Sequence, residues 1–242
     1  MSNVALFVPC FVDQFYPHVG IAALQVLERL GLRVAVPEGA ACCGQPPANA
    51  GFEHDADRAL TQFARTYESY DRIVVLSASC ALHVKLHAAP HVAERTTEFC
   101  TFLHDEIGLD AIAALGAGYS RRIALHIGCH GLRGLGLARP SEIQAPASNK
   151  VRALLETVRG LTFAELARPD ECCGFGGTFA VAEPAISAKM GRDRLRDCAA
   201  GSAEALVSTD MSCVMHLAGI ARRNGIALPT LHVAEIFAGA TT

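Results

Sequence analysis

Short, unbroken apolar runs alternate along this chain with longer stretches whose apolar residues recur every three or four positions. Residues 4–8 form the first run, the pattern of a strand covered on both faces. In 17–30, Ile21, Leu24 and Leu27 fall at helical spacing and Gly31 supplies a stop. Residues 33–36 predict a second strand. Residues 52–70 predict an amphipathic helix with Phe52, Ala56, Leu60, Phe63 and Tyr67 on one face, its charged side being an ordinary solvated surface. A third strand at 73–76 leads straight to Cys80. The pattern then starts again, with strands at 123–127, 161–163 and 205–207 and helices at 149–158 and 183–198. Apolar segments at 231–233 and 234–237 close it. Strands alternating with helices predict an α/β fold whose sheets are mostly parallel and flanked by helices.

The cysteines turn this alternation into a duplication. There are 10 cysteines in 242 residues. Without Cys100 and Cys198, two similar quartets remain: Cys10, Cys42-Cys43, Cys80, and Cys129, Cys172-Cys173, Cys213. Local contexts repeat in the same order. Leu6-Phe7-Val8-Pro9-Cys10 matches Leu125-His126-Ile127-Gly128-Cys129, and Cys42-Cys43-Gly44 matches Cys172-Cys173-Gly174. Ser79-Cys80-Ala81-Leu82-His83 matches Ser212-Cys213-Val214-Met215-His216. The seam falls in the small-residue stretch 115–119, which predicts two pseudo-symmetric lobes, 1–118 and 119–242.

Composition narrows the chemistry. Hydrophobic residues make up 51% and charged residues 19%, and the net charge is −3, so no basic surface calls for nucleic acid. The first apolar run is too short to span a bilayer and lacks the flanks of a signal peptide, so a cytoplasmic protein is expected. A reducing compartment does not keep disulfides, which leaves metal ligation or redox chemistry for the thiols.

In each quartet the first and last cysteines follow strands. Ligands of open α/β sheets collect outside the carboxyl ends of the strands, so distant residues converge there. Adjacent cysteines cannot readily take two tetrahedral positions on one small ion, whereas a polynuclear centre offers each sulfur its own metal. Four cysteines suit a [4Fe–4S] cluster, one per lobe. Zinc remains the competing metal, above all in the second lobe, because Cys80-x-x-His83 and Cys213-x-x-His216 resemble half of a zinc knuckle. The glycines of Cys172-Cys173-Gly174-Phe175-Gly176-Gly177 let the backbone fold closely around a bulky core.

Together, Cys42-Cys43-Gly-Gln-Pro-Pro, Cys172-Cys173-Gly-Phe-Gly-Gly-Thr-Phe-Ala, Asp210-Met-Ser-Cys213 and His232-Val-Ala-Glu-Ile resemble the cysteine-rich CCG-domain proteins. Within them the resemblance is to the lactate utilisation protein A family. The iron–sulfur subunit of glycolate oxidase and the CCG-domain subunit of heterodisulfide reductase are more distant relatives. It covers nearly the whole chain. It implies an iron–sulfur electron-transfer subunit of a system oxidising L-lactate to pyruvate, inactive alone, whose partners include a ferredoxin-like iron–sulfur protein. In the heterodisulfide reductase relative each motif ends in a further cysteine that helps to hold a non-cubane cluster. His83 and His216 stand in those positions here. They are candidate additional ligands, cluster type stays open, and disulfide reduction is not carried over.

Cys100 and Cys198 read as packed core thiols. His126 and His130 flank Cys129 as supporting groups or, around zinc, as ligands. Asp13 and Asp210 read as turn or cap residues. No nucleophile elbow, zinc-protease motif or dinucleotide fingerprint is present, so nothing in the chain is equipped to accept a hydride from a hydroxy acid. A disulfide-type reductase and a non-catalytic zinc protein are the two alternatives to the electron-transfer subunit.

Overall fold

The computed structural model describes residues 3–39 and 42–239. Two four-stranded sheets lie among them. In the first, β1 (Val4–Phe7), β2 (Val34–Ala35), β3 (Arg72–Val75) and β4 (Thr96–Glu98) stand in the order β2-β1-β3-β4. In the second, β5 (Arg122–His126), β6 (Thr162–Phe163), β7 (Ala205–Ser208) and β8 (Thr230–His232) stand in the order β6-β5-β7-β8. Every pairing is parallel. The central registers correspond: Phe7 pairs with Val75 in one sheet, and His126 with Ser208 in the other. The same topology is therefore built twice.

Helices of the first half are α1 (Cys10–Phe15), α2 (Pro17–Arg29), α3 (Gln45–Asn49), α4 (Glu53–Thr66), α5 (Ala78–His87), α6 (Pro90–Ala93), α7 (Phe99–Phe102) and α8 (Leu109–Ala114). Those of the second are α9 (Lys150–Leu155), α10 (Phe179–Ala182), α11 (Pro184–Ala200), α12 (Met211–Arg223) and α13 (Val233–Ala238). Among the described residues, no helix is long and apolar enough to cross a membrane.

Each sheet is buried on both faces, as its unbroken apolar strands require. One face of each feeds a common core in which Val4, Leu6 and Val74 join Ile123, Ala205 and Val207. The opposite faces carry separate cores. Ala5, Phe7, Ile73 and Val75 pack with Cys43 and Cys80, and Ala124 and Leu206 pack with Cys173 and Cys213. Alternation along a strand thus sends Leu6 to the shared core and Phe7 to the cysteine side.

The halves also exchange helices. The segment after β8, α13, packs on α2 of the first half, while the segment after β4, α7, packs on α9 of the second. Arg29 reinforces the first contact by donating to the carbonyls of Phe237 and Leu115 at 3.3 and 2.6 Å.

Some element readings need correction. Strand β4, Thr-Thr-Glu, has no apolar run to announce it; β3 pairing and burial make it a strand, with Thr96 and Glu98 almost fully enclosed. The second amphipathic helix begins at Glu53, and Phe52 and Ile21, assigned to buried faces by spacing, are exposed. Phe52 stands before the first turn of α4, and Ile21 lies beside the stripe of α2 that packs, which runs through Val19, Ala22, Ala23, Val26 and Leu27.

Candidate metal centre

Cys10 opens α1 just beyond β1, and Cys80 sits in the first turn of α5 beyond β3. Cys129 follows β5, and Cys213 lies in the first turn of α12 beyond β7. The doublets occupy the connections between β2 and α3 and between β6 and α10. Each quartet therefore gathers at the carboxyl ends of the two central strands of its own sheet.

The doublet turns depend on glycine. Gly44 has φ +92° and Gly174 has φ +90°, a region L side chains avoid. A Cβ would also lie 2.8 Å from the Ala56 carbonyl oxygen at Gly44, and 2.6 Å from that of Ser187 at Gly174. These turns aim N–H groups at sulfur: Gly44 to Cys42 Sγ and Gly174 to Cys172 Sγ, each at 3.4 Å, with Phe175 donating to Cys173 Sγ at 3.4 Å.

The thiols contact one another in sequence. Cys10 meets Cys42, Cys42 meets Cys43, and Cys43 meets Cys80. Cys129, Cys172, Cys173 and Cys213 repeat the chain, with Cys173 and Cys213 sulfurs 3.2 Å apart. Hydrogen bonds from Cys10 and Cys43 hold the Cys42 thiol well below the ordinary thiol range, and those from Cys129 and Cys173 do the same for Cys172. Donating to those sulfurs, together with burial, pushes the Cys10, Cys43, Cys129 and Cys173 thiols up. Negative charge at Cys42 or Cys172 is thus held by the neighbouring thiols, which resist ionising themselves. A thiophilic cation removes that resistance, and its binding releases the remaining protons.

The histidines differ in what they reach. Burial and neighbouring His87 push His83 down; its Nε2 is enclosed without a partner, and its ring lies 4.7 Å from that of His87. His216, also pushed down by burial, has Nε2 3.4 Å from Ser187 Oγ. His130 Nε2 contacts Gln45 Nε2 of the first half at 3.2 Å. His126 has no exposed surface, and neither ring nitrogen has a partner. Burial, then the Arg194 charge, pushes it down to about 3, so it is neutral. One His126 nitrogen and the sulfurs of Cys173 and Cys213 lie within 4.8 Å of one another, a grouping that includes neither His83 nor His216.

Both quartets open on one cavity of about 420 Å³ between the halves, lined by seven of their eight cysteines, Cys42 being the exception. Its wall is mainly apolar, with Phe11 and Phe175 in edge contact at 5.9 Å. A larger hollow of about 540 Å³ beside α9 has no cysteine in its wall. Cys100 and Cys198 are fully buried in apolar cores.

Asp210 joins the two sites. It caps α12 by accepting from the Ser212 N–H at 3.1 Å, and its other oxygen accepts from Ser79 N–H at 3.0 Å and Ser77 Oγ at 3.1 Å in the first half. Ser77 is the N-cap of α5. One buried carboxylate thus orients both helices that carry the terminal cysteines. Sequence marks Asp210 as a cap, but its bond across the halves has no sequence signal.

The model of the cysteine-rich CCG domain matches this chain twice, at residues 4–85 and 123–218. The chain belongs to the CCG cysteine-rich domain family. Curated relatives named Lactate utilization protein A are similar over 97% of this chain and 98% of their own length. They include proteins of Shouchella clausii (37% identical), Bacillus subtilis (34%) and Geobacillus kaustophilus (35%). Each CCG match ends just past a quartet's terminal cysteine, in α5 and in α12.

Proposed function

We propose that this chain is the iron–sulfur electron-transfer subunit of a cytoplasmic system that oxidises L-lactate to pyruvate. In this reading residues 1–118 and 119–242 are two lobes, each holding one centre, probed first as [4Fe–4S]. Cys10, Cys42, Cys43 and Cys80 hold the first, and Cys129, Cys172, Cys173 and Cys213 the second. The observation carrying the proposal is the gathering of both quartets on one apolar cavity, as extended chains of sulfur contacts that suit a polynuclear core better than a single ion. The names of the curated relatives supply the substrate. Ten free thiols accord with a reducing compartment.

When bound, iron–sulfur centres supply one-electron acceptance and release. The chain's own residues prepare the place for them. Cys42 and Cys172 offer the first thiolates, Gly44, Gly174 and Phe175 direct N–H dipoles at sulfur, and Asp210 keeps the two terminal cysteines in fixed relation. Apolar walls keep bulk water from the sulfurs. No hydride acceptor belongs to the chain, so substrate oxidation falls to another subunit, with a ferredoxin-like iron–sulfur protein as electron partner.

Anaerobic purification followed by iron, acid-labile sulfide and zinc analysis tests this. About four irons and four sulfides per occupied quartet are expected. C42A/C43A and C172A/C173A should each halve the content. Colourless protein with stoichiometric zinc and no sulfide would overturn the proposal. So would lactate oxidation by the isolated, loaded chain.

A further inference from the structure

The duplication breaks at a buried position beside the second quartet. Phe7 ends β1 and His126 ends β5; each lies three residues before the first cysteine of its quartet and faces the cysteine side of its sheet. Phe7 packs edge-on against Phe63 and Tyr67, at 5.1 and 6.1 Å between ring centroids, and needs no polar partner. His126 is as deeply enclosed, yet neither nitrogen makes a hydrogen bond. Buried polar groups are nearly always satisfied, so an orphaned imidazole beside two thiols calls for a ligand. The sulfurs of Cys173 and Cys213 lie with one of its nitrogens inside a 4.8 Å grouping, and Gly128 leaves room beside them: a Cβ there would lie 3.4 Å from Cys213 Sγ. In the first half Pro9 fills the corresponding place.

We propose that His126 donates a ring nitrogen to the metal bound in the second half, so that this site is mixed cysteine–histidine while the first is all-thiolate. The inference rests on the metal-binding reading above and adds that the two centres are chemically unequal. The imidazole joins the four thiolates as a neutral further donor, so the two centres differ in ligand number and donor type and have unequal reduction potentials.

The test uses the full chain, 15N-labelled at histidine and loaded anaerobically with cobalt(II) alone, which is paramagnetic and accepts both thiolate and imidazole. Pulsed electron paramagnetic resonance should show a directly coupled histidine nitrogen. The coupling should be lost in H126F, which installs the residue the first half uses, and kept in H83F, H130F and H216F. Absence of coupling from cobalt-loaded wild type, its persistence in H126F, or its loss in any of the other three overturns the inference. Should H126F fail to fold, H126Q, which keeps a polar side chain without an imidazole, should lose the coupling in its place, and a coupling kept in H126Q overturns the inference. Separate iron and sulfide analysis keeps the two proposals apart. Clusters that form without a histidine nitrogen overturn this inference alone, whereas nitrogen-coupled cobalt in a chain that assembles no iron–sulfide overturns only the electron-transfer reading.

Discussion

Glu98 shows how far burial can move a single group. It ends β4 fully enclosed, and burial raises its carboxyl from 4.5 to about 7 against the opposing hydrogen bonds from Cys100 and Thr101. Its Oε2 accepts from the Thr101 N–H at 2.8 Å, capping α7. Between the two values the folded chain keeps a proton that the unfolded chain releases. The stability contributed by the neutral acid is therefore complete below about 4.5 and lost as pH rises through 7, by up to about 3 kcal/mol. E98Q, which cannot ionise, should gain stability relative to wild type as pH goes from 5 to 8; urea midpoints for both proteins across that range check it, and a difference independent of pH would refute it. His232 holds the matching place at the end of β8 and behaves oppositely, burial pushing it down to about 4, so its stability is present above about 6.5 and lost as pH falls through 4. These two residues share a position in the repeat but not a charge type, and no hydropathy pattern distinguishes their surroundings.

Among the elements, α5 and α12 do the most to position the sites, and they meet at Asp210. An uncharged short side chain there leaves the N–H groups of Ser79 and Ser212 and the Ser212 hydroxyl without their acceptor, while Ser77 Oγ keeps only Ser79 Oγ to donate to. D210A should lower stability by roughly 2–4 kcal/mol in urea unfolding, the loss of a cap together with buried donors left unmet. D210N, which keeps one acceptor oxygen, should lose less. Equal small losses in both variants would mean that the carboxylate is not the link between the helices. Apolar spacing identified the central strands and the helices α2, α4, α9 and α11, because their burial is decided within each element, but it did not mark α5 or α12. It missed β4, whose residues are polar and become a strand only through pairing with β3. It also over-extended α4 to include Phe52, because periodicity reports a face but not how much of that face a neighbour covers.

For the whole molecule, the shared core and the crossed packing of α13 on α2 and α7 on α9 make the halves interdependent. Metal held by thiols of both halves should then stabilise the fold as a unit, since the unfolded chain offers no assembled site. Treating the anaerobically loaded protein with a strong chelator should lower the melting temperature in one cooperative transition. C42A/C43A should show a smaller chelator-dependent drop than wild type. An unchanged transition in verified metal-loaded wild type would rule out this coupling.

The sequence by itself determined that the chain is a duplicated α/β protein with two cysteine quartets in matching contexts, because strand burial and cysteine order are local properties that repeat. It identified Asp210 as a cap and left His126 among several histidines near a cysteine. Only the tertiary structure decided that both quartets share one cavity, that Asp210 spans the halves, and that His126 is buried without a partner beside Cys173 and Cys213. Those facts depend on how two sheets pack across a common core, a relation between residues more than a hundred positions apart. Local pattern carries no information about which of them will be enclosed together.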